Sequence, residues 1–107
     1  MELIEINILK KDYISEKDFC LSCEAFIGAE DNPFAYEVYS FYVLGEERVE
    51  QANMEASFEL EKGWFVQSEY NEGKLKEIIQ SIISLCDTGD DELTYERLND
   101  YLILQDS

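Results

Sequence analysis

The stretch FAYEVYSFYVL, Phe34 to Leu44, restricts the fold more than any other part of the sequence. Its residues are apolar or aromatic on both alternating sides, apart from Glu37 and Ser40. A strand with two apolar sides is typical of the middle of a sheet, because neither side is suited to water. The stretch therefore predicts a central β-strand, which Gly45 ends.

Three other segments show the periodicity of strands. Ile4, Ile6 and Ile8 alternate with polar residues, which indicates a strand with one buried side. Residues 19–29 and 64–70 form two further apolar runs that are bounded by turn residues. With the central strand, the sequence predicts four strands.

Three segments are predicted to be helical. The strongest follows Asn71, a residue suited to cap it, and the other two cover residues 46–56 and 92 to about 102. Asp90, Asp91 or Thr94 is expected to cap the last helix. The apolar side of the strong helix consists of Leu75, Ile78, Ile79, Ile82 and Cys86, and that of the last helix consists of Leu98, Tyr101 and Leu102.

The predicted order of elements is β-β-β-α-β-α-α. This order predicts an α+β fold with a single antiparallel or mixed sheet of about four strands and helices packed on one face. The sequence shows no repeat and no linker rich in Pro, Gly or Ser. We therefore expect residues 1–107 to form a single acidic α+β domain, long enough for one core.

The charge restricts the partners of the protein. There are 25 acidic and 8 basic residues, which gives a net charge of −17. Such a surface repels nucleic acids and anionic membranes and attracts basic partners. Solubility alone needs only about 2 to 8 charges in a small domain, although a purely solubilising role stays open. No apolar run is long enough to span a membrane, and three cysteines without a secretory pattern predict a cytoplasmic protein.

The motif CLSC, Cys20 to Cys23, has the spacing of a metal or redox motif. On a strand, however, residues three apart lie about 10 Å apart and on opposite faces. A disulfide needs Cα atoms within roughly 7 Å, and a zinc site needs further ligands. The chain has no histidine, and Cys86 is its only other cysteine. We interpret all three cysteines as structural.

The absence of histidine also removes the commonest general base. No glycine-rich phosphate-binding motif is present, and the loop DTGDDE lacks the spacing of an EF-hand. We therefore predict no enzymatic activity, no cofactor and no metal. A small enzyme that uses carboxylates and an irregular calcium-binding domain stay open as alternatives.

Three segments resemble one known family. They are YEVYSFYVLGEERVEQ, KGWFVQSEYNEGKLKEIIQSIISLC and LTYERLNDYL, which follow in that order and cover about two-thirds of the chain. Together the segments resemble the immunity protein eight family, which consists of antidotes in bacterial polymorphic-toxin and contact-dependent growth inhibition systems. The resemblance implies a protein that binds and neutralises a cognate toxin domain. Toxins of this kind are frequently nucleases with basic active-site clefts, which an acidic antidote can block directly or from a neighbouring surface.

The resemblance supplies no contact residues, because the contacts in this family vary with the toxin. The candidates therefore come from charge alone. An acidic DNA-mimic inhibitor or regulator of another nucleic-acid-binding protein, and a structural subunit of a larger assembly, stay open as alternatives. The candidate partner-binding residues form three clusters: Glu30 and Asp31; Glu46, Glu47 and Glu50; and Asp87, Asp90, Asp91 and Glu92.

Overall fold

A computed structural model describes residues 1–55 and 62–105 of the chain, except for the side chains at 33 and 52–55. Over these residues the chain forms a mixed sheet with helices packed on it. The elements are β1 (Glu2–Ser15), β2 (Asp18–Ala29), β3 (Asn32–Gly45), α1 (Glu46–Glu55), β4 (Trp64–Gln67), α2 (Gly73–Cys86), α3 (Asp91–Leu98) and β5 (Ile103–Leu104). The predicted fold class and element order are confirmed, and β5 is an additional short strand.

The sheet is built around β3. β1, β2 and β3 pair in sequence as an antiparallel meander. On the other edge of β3, β4 pairs parallel to its end and β5 pairs antiparallel to its middle. The prediction that the aromatic stretch forms a central strand is therefore confirmed.

The core lies between one face of the sheet and the helices α2 and α3. Alternate residues of β2 and β3 point into it, because successive side chains of a strand point to opposite faces. The buried cluster contains Phe19, Leu21, Cys23, Ala25, Ile27, Tyr39, Phe41 and Val43 from the sheet, and Leu75, Ile79, Ile82, Ile83, Cys86, Leu98 and Leu102 from the helical side.

α1 begins where β3 ends, and it is tied to the turn between β1 and β2. A Cβ atom at Gly45 would lie within 2.6 Å of the carbonyl carbon of Lys17, so the close approach requires glycine. Arg48 donates from Nε to the buried Asp18 at 2.6 Å and from a terminal nitrogen to Asp12 at 3.0 Å. These contacts fix the orientation of α1 relative to the hairpin.

Several predicted boundaries differ from the structure. β1 covers Glu2–Ser15, whereas the alternating isoleucines predicted only residues 4–8. β4 covers Trp64–Gln67 and stops before the predicted end at Tyr70. The predicted last residue of α1, Ala56, lies outside the described residues.

Two predictions about helix ends are wrong. α3 ends at Leu98, so Tyr101 no longer follows the helical period and is 39% exposed. The N-cap of α2 is Glu72, which makes no capping hydrogen bond through its side chain. Asn71 instead bonds through its backbone to the side chain of Gln67. The predicted cap at Asp90 is confirmed.

Candidate partner-binding surface

The first acidic cluster lies in the turn between β2 and β3. Glu30 and Asp31 occupy this turn, and both are exposed. The adjoining Asn32 accepts a hydrogen bond from the backbone N–H of Phe34 at 3.2 Å, which orders the start of β3. The turn therefore presents two carboxylates at one end of the long hairpin.

The second acidic cluster lies in the connection between α2 and α3. Asp90 caps α3 by accepting from the backbone N–H of Leu93 at 3.0 Å. Thr94, which is buried, donates to the Asp90 carbonyl at 2.8 Å and holds the loop against the protein. Since these bonds fix the backbone, the exposed carboxylates of the loop are displayed at set positions: Asp87, Asp90, Asp91 and Glu92.

The fold brings these two clusters to the same end of the sheet. The terminal ammonium of Met1 forms an ion pair with Asp87 at 3.7 Å. Glu2, the next residue, pairs with Gly28, which lies two residues before Glu30. We call this region the acidic end, defined by Glu30, Asp31, Asp87, Asp90, Asp91 and Glu92.

The third cluster lies at the opposite end. Glu46, Glu47 and Glu50 are exposed on α1, directly after β3. The last residues of β3 pair with the start of β2 at Cys20, and nine residue steps along β2 separate that position from Ala29. At about 3.3 Å per residue, the α1 cluster lies roughly 30 Å from the turn of the first cluster. The structure therefore joins two of the three predicted clusters and separates the third.

Exposed apolar side chains accompany the carboxylates at the acidic end. Phe34 is 91% exposed and Tyr36 is 48% exposed. The ring of Tyr36 packs edge-on against the half-buried Phe26 at 5.5 Å between centroids. Ile4 lies within reach of the same hairpin, because a Cβ atom at Gly28 would be 3.0 Å from its terminal carbon. Aromatic side chains surrounded by charge are a common composition for a protein-binding surface.

Phe34 was not among the predicted contact residues, because it falls inside a stretch predicted to be a central strand. Residues 33–35 have no Cα partner in β2, since the ladder passes from the pair of Gly28 and Tyr36 to that of Ala29 and Asn32. Phe34 therefore lies in an irregular part of the hairpin. Its position beside the turn residues Asn32 and Pro33 was the available signal.

The cysteines lie where the strand geometry predicted. Cys23 points into the core and is 1% exposed, while Cys20 is half-buried on the other face of β2. Burial raises the pKa of the Cys23 thiol to about 12 and also raises the pKa of Cys86. Neither thiol forms a disulfide in the structure. These two side chains are held protonated in the core, in agreement with a structural role.

Lys11, Tyr70 and Glu72 form a cluster of interacting titratable groups outside the acidic end. Lys11 lies 3.5 Å from the Glu72 carboxylate and 4.6 Å from the centre of the Tyr70 ring, and the Tyr70 hydroxyl donates to Glu72. Burial and the bond to Glu72 raise the pKa of Tyr70. The bond with Tyr70 raises the pKa of Lys11 and lowers the pKa of Glu72. Each group therefore keeps its ordinary protonation state at neutral pH, and none is poised to exchange a proton. The contacts of the cluster link β1 to the start of α2.

A cleft of about 430 Å³ lies beside this cluster, between the end of β4 and α2. Its walls include Gln67, Asn71, Lys74 and Glu77. Within residues 1–55 and 62–105, no three His, Cys, Asp or Glu side chains are grouped closely enough to hold a metal ion. No helix over that part of the chain is long and apolar enough to cross a membrane.

Comparisons with protein-family models, with curated protein sequences and with solved structures found no match for this chain. The resemblance to the immunity protein eight family therefore stays a prediction. The acidic end is the candidate site because the chain folds two distant carboxylate clusters to the same end of the sheet, with exposed aromatic side chains close to Glu30 and Asp31.

Proposed function

We propose that this protein is a cytoplasmic immunity protein that binds a cognate bacterial toxin domain through the acidic end and neutralises it. The partner is a basic protein, in particular a nuclease whose active-site cleft carries positive charge. The proposal that the partner is a toxin domain rests on the family resemblance. The proposed binding surface rests on the geometry of the described residues.

One observation carries the proposal: carboxylates 56 or more positions apart, such as Asp31 and Asp87, lie at the same end of the sheet. Phe34 and Tyr36, which follow the turn at Glu30 and Asp31, are exposed at this end of the sheet. Exposed carboxylates speed the encounter with a basic surface, because opposite charges attract over about 10 Å at moderate salt. The aromatic side chains supply apolar area that stabilises the bound state once water has been excluded.

The arrangement suits a partner that normally binds nucleic acid. The six carboxylates of the acidic end present negative charge in place of phosphates. Among residues 1–55 and 62–105, the one cationic group paired with them is the terminal ammonium of Met1, at Asp87. Such a surface can occupy a basic cleft or cover its edge. In either position it keeps the nucleic acid away, so neutralisation requires no chemical step.

Co-expression tests the proposal. The C-terminal domain of the protein encoded immediately upstream is produced with and without this chain, and growth and co-purification are scored. We expect the fragment to stop growth alone, and this chain to rescue growth and co-purify with it. A harmless fragment, or one that does not bind, contradicts the toxin assignment.

Single variants test the surface in the same assay. Phe34→Ser removes the most exposed aromatic side chain of the acidic end, while Val66→Ser is a matched control on β4, where Val66 is 41% exposed. We expect Phe34→Ser to weaken binding by roughly ten-fold or more, as for a central apolar contact, with Val66→Ser near wild type. Equal behaviour of the two variants contradicts the assignment of the surface.

A further inference from the structure

The outer edge of β1 is a second surface with unusual features. β1 pairs with β2 on one side. No backbone hydrogen bond from another described segment reaches its 14 residues on the other side. An unpaired edge of this length is a ready template for another strand, and natural proteins usually protect such edges.

Three irregularities along β1 coincide with exposed aliphatic side chains. Ile4, Leu9 and Ile14 have no Cα partner in β2, and each lies at a register shift. They are 43%, 59% and 68% exposed, respectively. Because each extra residue resets the alternation, Leu3, Ile6 and Ile8 all stay packed against the core. The edge therefore carries three exposed aliphatic residues at intervals of five.

Charge makes this flank one of the less negative parts of the protein, so two copies repel each other weakly there. Residues 1–17 hold four carboxylates and three lysines, whereas the remaining 90 residues hold 21 carboxylates and five basic side chains. Almost all of the net charge of −17 thus lies outside β1 and its turn. An encounter of two copies through the acidic end or through the α1 cluster brings strongly negative regions together.

The charges of β1 are also arranged to complement a second copy. Glu2 and Glu5 lie in its first half, and Lys10 and Lys11 lie in its second half. Asp12 also lies in the second half, but its carboxylate already forms an ion pair with Arg48 at 3.0 Å. Glu5 pairs with Phe26 and Lys10 pairs with Ser22, so both side chains lie on the same face of the sheet. Antiparallel pairing of two β1 strands can therefore place Glu5 of each copy opposite Lys10 of the other, whereas in-register parallel pairing places each charged residue opposite its own copy.

One pairing register keeps each pair of residues on the same face of the sheet and also accommodates the bulge at Leu9. With Asn7 opposite its own copy, Ile6 faces Ile8 and Glu5 faces Lys10, provided that Leu9 stays bulged in both strands. Every pair in this register lies on a common face of the sheet, as cross-strand pairs must. The pairing is symmetric and uses the edge of both copies, so it closes as a dimer and leaves no β1 edge for further addition.

We propose that two copies of this chain associate through antiparallel pairing of β1, centred on Asn7, with reciprocal contacts between Glu5 and Lys10. The two sheets then join into one. The acidic ends lie at opposite extremes of the joined sheet, because the two β1 strands run in opposite directions. This inference does not depend on the identity of the binding partner.

Sedimentation velocity tests the proposal with the full chain, from about 5 to 200 μM and at about 0.15 M NaCl, where charges are screened over roughly 8 Å. We expect a dimer of twice the 12.5 kDa mass at the upper concentrations. A monomer throughout this range overturns the proposal. Circular dichroism melts check that each variant is folded.

Charge reversal tests the register. E5K and K10E each place like charges opposite each other, and we expect each to weaken the dimer roughly ten-fold, since two such pairs form per dimer. Mixing the two variants restores opposite charges at both pairs, so the mixture should form a heterodimer near wild-type strength. K17E, which changes the net charge as K10E does, should dimerise as wild type. A mixture that stays monomeric, or a loss with K17E equal to that with K10E, overturns the proposed register.

Discussion

Arg48 contacts two carboxylates in different surroundings, and we predict that only one of them contributes much to stability. The side chain of Asp18 is 9% exposed and accepts from Arg48 at 2.6 Å, while that of Asp12 is 58% exposed and accepts at 3.0 Å. Water screens the exposed pair and hydrates its carboxylate when the arginine is absent. The buried carboxylate of Asp18 cannot be hydrated in this way when the arginine is absent.

The magnitude follows from what remains at Asp18 without the arginine. Arg48→Met leaves the carboxylate with the amide of Gln51 at 3.5 Å, which is a long hydrogen bond. Breaking a buried ion pair typically costs about 3–5 kcal/mol. Arg48 is partly exposed, so we expect a loss near the lower limit, about 3 kcal/mol, or about 15 °C in melting temperature for a domain of this size.

Urea unfolding of matched variants measures these losses. Asp18→Asn should cost about 1–2 kcal/mol, because the amide oxygen still accepts a neutral hydrogen bond, whereas Asp12→Asn should change stability by less than about 0.5 kcal/mol. Lys17→Met controls for the lost positive charge of Arg48→Met. The reasoning is refuted if Asp12→Asn costs as much as Asp18→Asn, or if Lys17→Met costs as much as Arg48→Met.

Three further predictions concern the core and its boundaries. Gly45→Ala should destabilise the protein by about 3 kcal/mol or more in thermal unfolding, because the added methyl would overlap the backbone of the β1–β2 turn. As a control at the start of α2, Gly73→Ala should be neutral or stabilising by up to about 1 kcal/mol. Tyr39→Phe should cost about 1–2 kcal/mol, since the fully buried hydroxyl donates to a carbonyl of α3 at 3.2 Å; an unchanged urea midpoint would contradict this. Cys20 should react with a thiol reagent in the folded protein well before Cys23, whose buried thiol has its pKa raised to about 12; equal rates would show that β2 opens readily.

The central part of the fold was predictable because local patterns and tertiary packing agree there. The aromatic stretch of β3 has two apolar sides, and in the structure it pairs along both edges. The apolar positions of α2 repeat at helical spacing, and Leu75, Ile79 and Cys86 are buried as predicted. Where a pattern of burial is long and regular, few alternative packings satisfy it.

The ends of elements were less predictable, because single contacts decide them. Tyr101 lies past the end of α3, where a turn redirects the chain, and its backbone carbonyl accepts from Gly63. β1 exceeds its predicted length because the bulges at Leu9 and Ile14 shift the alternation that identifies a strand. A fixed period of two does not detect such shifts: it groups Ile4 with Ile6 and Ile8, although Ile4 lies at a shift and is 43% exposed, and it is lost at Leu9.

The acidic end was predictable only in part. The sequence identified the carboxylates, but it did not show that Glu30 and Asp87 lie at the same end of the sheet. The fold shows this, because the first residues of β1 lie beside Asp87 and beside the end of β2. The density of acidic residues along the sequence also selected the α1 cluster at Glu46, which the fold places roughly 30 Å from the turn at Glu30. Charge along a sequence therefore names candidates, and the topology decides which of them act together.

The central claim is that the acidic end captures a basic partner, and the association rate with the toxin fragment tests it most directly. Stopped-flow measurements at several salt concentrations compare the wild type with E30K/D31K at the acidic end and with E46K/E47K on α1, two double variants with the same change in net charge. We predict that E30K/D31K slows association by roughly ten-fold at low salt and flattens its salt dependence, while E46K/E47K changes the rate by no more than about two-fold. Equal rates for the two double variants would contradict the account.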